Sequence, residues 1–252
     1  ASARALICEA DAQPVGYAVY FYNYSTWLGR NGLYLEDLYV APEHRGSGAG
    51  RALLSRVTKH ADAVIVPTHA MAARLAELAK SKLSKKVRVI GGAPAAGLRV
   101  PSDAVGRLRA LDLPSSFLAL AGGSAPSDAL AAAFAAVVDA KWDGDVVVLD
   151  VPEGEEPAVA DIAAAAGLAE ARVHSRGSLD RWDRAAVLSH AAAFIAACGR
   201  TDWPWRAGDA LAVGVPIVAV DTAVHREVLA DAAAYAEPAE LGAALSRALG
   251  ED

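Results

Sequence analysis

Residues Phe117-Leu118-Ala119-Leu120-Ala121-Gly122-Gly123 decide the fold, together with their echo in a strand expected over Asp145-Val146-Val147-Val148-Leu149-Asp150. A strand with one wet face alternates apolar and polar residues. An unbroken apolar run instead marks a strand buried on both faces, as in a parallel sheet. Working outward, the pattern alternates. A helix is expected over 128–140, a helix over 158–166, a strand over 171–175, a helix over 179–190 and a strand over 192–197. A helix over 208–213, a strand over 216–220 and helices over 224–230 and 238–249 follow. Strands alternating with helices in this way predict a parallel sheet with covered faces. Upstream, a strand over 63–66, a helix over 71–82 and a strand over 87–90 keep the same period, and 94–101 reads as a linker.

The first stretch reads differently. Strands are expected over 5–10, 15–24 and 32–40, with turns at 11–14 and at Gly29-Arg30-Asn31-Gly32. A helix with Leu53, Leu54 and Val57 on one face follows the glycine-rich loop after His44. Composition shifts at the same place: of seven tyrosines, only Tyr235 lies beyond Tyr39. The fold class is therefore α/β in two lobes. A hybrid lobe of antiparallel strands joined to parallel ones spans about 1–100. A Rossmann-like parallel-sheet domain spans 112–252.

The 252 residues carry 24 Lys+Arg against 30 Asp+Glu, a net charge of −6, with 54% hydrophobic and 21% charged residues. This composition excludes general disorder. No apolar run reaches the roughly 18 residues of a membrane span. An acidic chain without a basic block excludes nucleic acid as a main partner, leaving small-molecule ligands. The start at Ala1 is not expected to be a secretory signal. The two cysteines, Cys8 and Cys198, form no framework and suit the cytoplasm. The six histidines show no metal-ligand spacing, so no metal is expected, and no serine-nucleophile elbow is present. Composition says nothing of oligomeric state.

One loop carries chemistry. Arg45-Gly46-Ser47-Gly48-Ala49-Gly50 lies between a strand and a helix, where free amides and the helix dipole suit an anion such as pyrophosphate. It lacks the spacing and lysine of a P-loop. The detour through Ala41-Pro42-Glu43-His44 argues against a dinucleotide fingerprint. An R-x-x-G-x-G pyrophosphate loop and a plain glycine turn remain.

Taken with Tyr20-Phe21-Tyr22, Ser25-Thr26-Trp27-Leu28-Gly29 and Tyr34-Leu35-Glu36-Asp37-Leu38-Tyr39-Val40, residues 4–55 resemble the diamine (spermidine/spermine-type) N-acetyltransferases of the GNAT superfamily. The resemblance implies an acetyl-CoA or CoA site. Backbone at Leu38 and Val40 would pair with the pantetheine arm. Arg45, Gly46, Gly48, Ala49, Gly50 and Arg51 would hold the pyrophosphate. Glu36 and Asp37 would face the amine as catalytic groups, and they read equally as solvated strand carboxylates. The family's later tyrosine, which protonates the leaving thiolate, has no counterpart, since no tyrosine lies between Tyr39 and Tyr235.

From about residue 58 the chain resembles a GT-B-type glycosyltransferase. Residues 61–78 are similar to the end of its first domain, and 87–90 and 94–101 to its interdomain stretch. The resemblance continues through Gly122-Gly123, then through Trp203-Pro204-Trp205-Arg206-Ala207-Gly208-Asp209 and on to His225-Arg226-Glu227. It implies nucleotide-sugar binding by Gly122, Gly123, Arg206 and Asp209. Ser127-Asp128 stand where that family often has Arg-Lys, and its E-x7-E pair falls on Thr201 and Asp209. Three functions follow: an engineered or recombined chimera of two transferase fragments without efficient catalysis, a nucleotide-sugar-binding protein, or an acetyl-CoA-binding N-acetyltransferase. A fusion within one helix near 54–60 predicts that residues 63–66 lie parallel to residues 35–40 in a common sheet, by a right-handed crossover.

Overall fold

The computed structural model describes residues 3–25, 30–59, 61–78, 84–94, 96–199 and 203–250. The chain forms two compact units. One comprises Ala1–Val66 and Ala72–Val89, the other Pro67–Met71 and Ile90–Asp252.

The first unit opens with a three-stranded antiparallel sheet of β1 (Arg4–Ala10), β2 (Gln13–Ser25) and β3 (Arg30–Val40), in the order β1-β2-β3. Asp11 and Ala12, at φ 50° and 61°, make the tight turn between β1 and β2. Positive φ at both central residues matches the strands' right-handed twist. The second turn is not where the Asn-Gly pair suggested. Asn31 pairs with Tyr24 and Gly32 with Asn23, inside the ladder. Of the expected turn, Gly29 lies outside the described residues, as do residues 26–28. Register shifts between Val19 and Tyr20, which pair with Asp37 and Leu35 and leave Glu36 as an extra bulge residue.

Helix α1 (Ala49–Thr58) packs on one face of this sheet and buries Ala49 and Leu53. Its last hydroxyl, Thr58 Oγ1, donates to Leu54 O at 2.8 Å. The helix runs unbroken across Leu54–Thr58, and His60 lies outside the described residues. Beyond it, β4 (Val64–Val66), α2 (His69–Leu78) and β5 (Val87–Val89) make a parallel β–α–β pair.

The shared-sheet expectation fails here. β4 pairs with β5, Val64 opposite Val87, in a two-stranded sheet separate from β1–β3. The physical reason is local. A three-residue strand has few ladder bonds to offer, and the α2 crossover supplies a parallel partner from the same segment. The β3 edge it would have joined is interrupted by the Glu36 bulge.

The second unit begins with α3 (Ala104–Ala110), followed by β6 (Phe117–Ala121), α4 (Leu130–Asp139), β7 (Asp145–Leu149), α5 (Glu156–Ala165) and β8 (Val173–Ser175). The chain continues with α6 (Arg181–His190), β9 (Phe194–Ala196), α7 (Trp205–Val213), β10 (Ile217–Val220), α8 (Ala223–Leu229), β11 (Ala233–Ala236) and α9 (Leu241–Leu249). The strands form one parallel sheet in the order β11-β10-β9-β6-β7-β8.

Successive strand residues serve opposite cores. Leu118, Leu120, Val146 and Val148 pack with Phe134 and Val137 of α4 and Leu241 and Leu245 of α9. Phe117, Ala119, Val147 and Leu149 pack with Val187 and Leu188 of α6 and Ala207 and Ala210 of α7. Both faces are covered, as the unbroken apolar runs require. Asp180 caps α6 by accepting from the Trp182 and Asp183 amides at 2.8 and 2.9 Å. This is a mixed α/β fold with antiparallel N-terminal strands and a six-stranded parallel sheet.

Candidate functional site

The strand order places a switch point in the second unit. From β6 the chain steps to β7 and β8 on one side, then returns to β9 on the other. Loops leaving β6 and β9 diverge, and open α/β sheets bind ligands in such a crevice beyond the strands' C-terminal ends. A cavity of about 250 Å³ lies there, lined among others by Ala121, Asp128, Cys198, Trp203, Arg206 and His225.

The glycine pair after β6 sits at this crevice. Gly122 adopts φ 143°, and a Cβ there would come within 2.8 Å of Asp128 Cβ, so the close approach demands glycine. The expected helix start at 128 is replaced by a single turn over Pro126–Asp128 and a break at Ala129, φ 57°. That break returns the Asp128 side chain to the loop. Asp128 Oδ2 accepts from the Gly123 amide at 2.8 Å, and Asp128 is only 8% exposed. Glu155 Oε2 accepts from the Ser124 amide and hydroxyl at 2.7 and 2.8 Å. The chain's own carboxylates thus occupy amides that an anionic ligand would use.

Arginines knit the same carboxylates together. Arg206 lies 3.7 Å from Asp128 and 3.3 Å from Asp150. Arg184 pairs with Asp150 and, at 3.8 Å, with Asp209. Burial opposes the Arg184 charge, yet its hydrogen bond to Asp150 and the charges of Asp150 and Asp209 hold its pKa above the ordinary value. Of the residues expected at a nucleotide-sugar site, Gly122, Gly123 and Arg206 meet around Asp128. Asp209 joins them through Arg184 and Asp150. Thr201 and Asp202 lie outside the described residues. Asp150, Glu155 and Arg184 were missed by sequence reading. The signal for Asp150 was its place directly after β7.

His225 is buried at the cavity wall. Burial lowers its pKa, against the opposing effect of its bond to Val220 O at 2.7 Å. A carbonyl only accepts, so Nδ1 carries a proton and donates. Trp203 and Trp205 meet edge to face at 6.3 Å.

In the first unit, the loop before α1 holds Gly46 and Gly48 at φ 81° and 93°. Arg45 Nε donates to Val40 O at 3.2 Å, and the Ala49 amide reaches Ser47 Oγ at 3.4 Å. The amides of Gly48, Gly50 and Arg51 have no partner among the described residues. Glu36 and Asp37 are exposed on β3, Glu36 at the bulge. Leu38 is exposed and Val40 half-buried on the same strand, which pairs only with β2 among the described residues. This free edge adjoins the loop, so the residues expected at a CoA site are contiguous along the chain. Among the described residues, no group of three His, Cys, Asp or Glu is placed to hold a metal, and no helix is long and apolar enough to cross a membrane.

Residues 1–76 match the Acetyltransferase (GNAT) family. The thialysine N-epsilon-acetyltransferase of Bos taurus is 53% identical over 58 residues, covering 21% of this chain and 34% of its own. The human spermidine/spermine N(1)-acetyltransferase-like protein 1 is 43% identical over 45 residues, 18% of this chain and 6% of its own. The chain therefore spans about a third or less of these relatives. Solved structures align differently. Anabaena HepE, crystallised with UDP and glucose, matches with TM-score 0.65 at 15% identity, over 83% of this chain and 58% of its own. Sucrose-phosphate synthase from Thermosynechococcus elongatus matches with TM-score 0.62 at 20% identity, over 84% and 54%. At such identity the likeness is one of fold. The N-terminal residues 1–76 are thus similar to GNAT acetyltransferases, while the larger part of the chain shares the fold of GT-B glycosyltransferases.

Proposed function

We propose that this chain is a recombined or engineered fusion of an acetyltransferase fragment with a glycosyltransferase fragment, and that neither half transfers its group at a useful rate. One observation carries the reading. Asp128 and Glu155 fill the loop amides where a nucleotide-sugar diphosphate would bind, placing negative charge in the path of an anion. A CoA pyrophosphate has better prospects at Gly46–Arg51, where amides stand open and Arg45 and Arg51 flank them. That loop binds CoA or acetyl-CoA weakly, and acetyl transfer lacks the tyrosine acid. Removing a general acid typically costs about 10²–10⁴-fold in rate. Neither cysteine is in a disulfide, which fits a reducing cytoplasm. The fragments meet near 54–60, from the last turn of α1 onward, with lobes of about 1–100 and 112–252.

The test is turnover by the full chain. Acetyl-CoA with spermidine, and UDP- or GDP-sugars with sugar acceptors, are expected to give no product above the uncatalysed rate. Robust spermidine acetylation, or consumption of a nucleotide sugar, overturns the reading.

A further inference from the structure

The cavity at the β6–β9 switch point has a wall unlike that of an anion site. Leu130, Phe194, Trp203, Pro204 and Trp205 give it an apolar, largely aromatic lining. Trp203 is braced from behind. A Cβ on Gly92 would come within 2.6 Å of its indole, so the ring lies directly against that backbone. Trp205 meets Trp203 edge to face, with centroids 6.3 Å apart. The wall is therefore formed in advance, which spares a ligand the cost of ordering it.

The charges on this wall are already matched. Arg206 lies 3.3 Å from Asp150 and 3.7 Å from Asp128, and Asp128 also takes the Gly123 amide. The Cys198 thiol donates to Ser127 O at 3.2 Å. His225 is different. It is 2% exposed, its Nδ1 is committed to Val220 O, and its Nε2 has no hydrogen-bond partner among the described residues. Trp203 Nε1 is buried without a partner, but His225 Nε2 is not sealed from solvent, and its opening is the cavity that His225 lines. Burial holds the His225 pKa below 6.5, so at pH 7.5 the ring is neutral and Nε2 presents a lone pair. A single acceptor set in an apolar wall is the kind of group that orients a ligand.

We infer that this cavity binds a small neutral aromatic molecule of the indole or phenol class, its ring against Trp203 and Trp205 and its N–H or O–H donating to His225 Nε2. The volume of about 250 Å³ suits one or two fused rings. An apolar cavity of about 150 Å³ already holds benzene. A charged ligand would have to be desolvated against a wall whose Asp128 and Arg206 cancel, and a neutral one avoids that cost. The choice of a neutral ligand rests on the reading that the crevice's charges and loop amides are self-filled. The ring and the donor follow from the wall itself.

The experiment is calorimetric titration of the full chain at pH 7.5 with indole, benzothiophene and UDP in separate arms. Benzothiophene has the shape of indole but no N–H. Indole is expected to bind one to one with a dissociation constant of about 10 µM to 1 mM, the range open to so small a ligand. The preference for indole over benzothiophene is expected to fall by about 2- to 10-fold in His225→Phe, the worth of one hydrogen bond. Alkylation of the wild type by iodoacetamide, read by mass spectrometry, locates the ligand without any variant. Indole at about ten times its dissociation constant should slow alkylation of Cys198 by up to about tenfold and leave Cys8 on β1 unchanged. No saturable heat with indole up to about 5 mM overturns the proposal. So does an unprotected Cys198, which places the ligand elsewhere, or a preference that a folded His225→Phe leaves unchanged. A saturable UDP isotherm overturns the self-filled reading and with it the choice of a neutral ligand, whereas silent UDP with silent indole overturns this proposal alone.

Discussion

Replacing Asp128 by serine should convert the loop after β6 from a self-filled site into one that accepts phosphate. In the wild type, Asp128 Oδ2 lies 2.8 Å from the Gly123 amide and its other oxygen 3.7 Å from Arg206. A phosphate bound to that amide would stand within about 4 Å of the displaced carboxylate. Two unit charges at that distance repel by about 4 kcal/mol at an effective dielectric of 20. Each 1.4 kcal/mol is tenfold in affinity, so removing the charge should tighten binding by about 10- to 1,000-fold, less at high salt. The variant also frees Arg206 to turn toward the ligand. Its apo form should be less stable by about 1–3 kcal/mol, because the Gly123 amide loses its acceptor. Asp128→Asn separates the two effects, since it keeps an acceptor on Gly123 but removes the charge, and should fall between serine and wild type. Calorimetric titration with pyrophosphate and with UDP, at low and moderate salt, is the assay. A folded Asp128→Ser that binds neither more tightly than wild type refutes the reasoning.

Gly48→Val should abolish phosphate or CoA binding at the loop before α1, because φ 93° strains a β-branched residue by about 1–3 kcal/mol and the loop must rearrange; equal calorimetric heats for both proteins would contradict this. Phe134→Ala should lower unfolding free energy by about 3–5 kcal/mol, since Phe134 is fully buried between β6 and α9, and urea denaturation measures it. His225 has a folded pKa below 6.5, so its neutral form adds stability that is present above pH 6.5 and is lost as pH falls below it. Denaturation at pH 7.5 and 5.5 should show this loss in the wild type and less of it in His225→Gln. Glu227 accepts from the His69 and Ala70 amides at 2.7 and 3.1 Å. Burial opposes its charge, but these bonds win and lower its pKa. Stability should therefore fall as pH drops from its ordinary 4.5 through that lower value, and Glu227→Gln should flatten the fall.

The parallel sheet was legible because burial on both faces writes itself as apolar runs. Residues 117–121 and 145–149 were placed to within a residue for that reason. Helix α3 was not legible: its seven residues include Gly106, and it buries only Ala104, so no apolar stripe marks it. Strand β11, Ala-Ala-Tyr-Ala, lacks the β-branched residues that signal a strand. The Asn31-Gly32 pair misled, because turn propensity is local whereas cross-strand pairing with Asn23 and Tyr24 is not. The separate β4–β5 sheet was the larger miss. A crossover rule says which hand a connection takes, but not whether a three-residue strand takes its sheet partner from upstream or downstream. The fusion reading therefore rests on the break in composition and on the two sets of likenesses, not on a merged sheet. At the site, the loss of Arg-Lys to Ser127-Asp128 was visible in sequence. That Asp128 folds back onto Gly123 depends on the left-handed Ala129, which no propensity predicts.

The central claim is that the Gly123 and Ser124 amides beside the crevice at the β6–β9 switch point are already taken by the chain's own carboxylates. Titrating UDP into the unmodified full chain by calorimetry tests it most directly. The account predicts no saturable heat up to about millimolar nucleotide, the weak end of the affinity scale. A one-to-one isotherm with a micromolar dissociation constant would contradict it, because Asp128 and Glu155 would then have to leave the Gly123 and Ser124 amides at little cost.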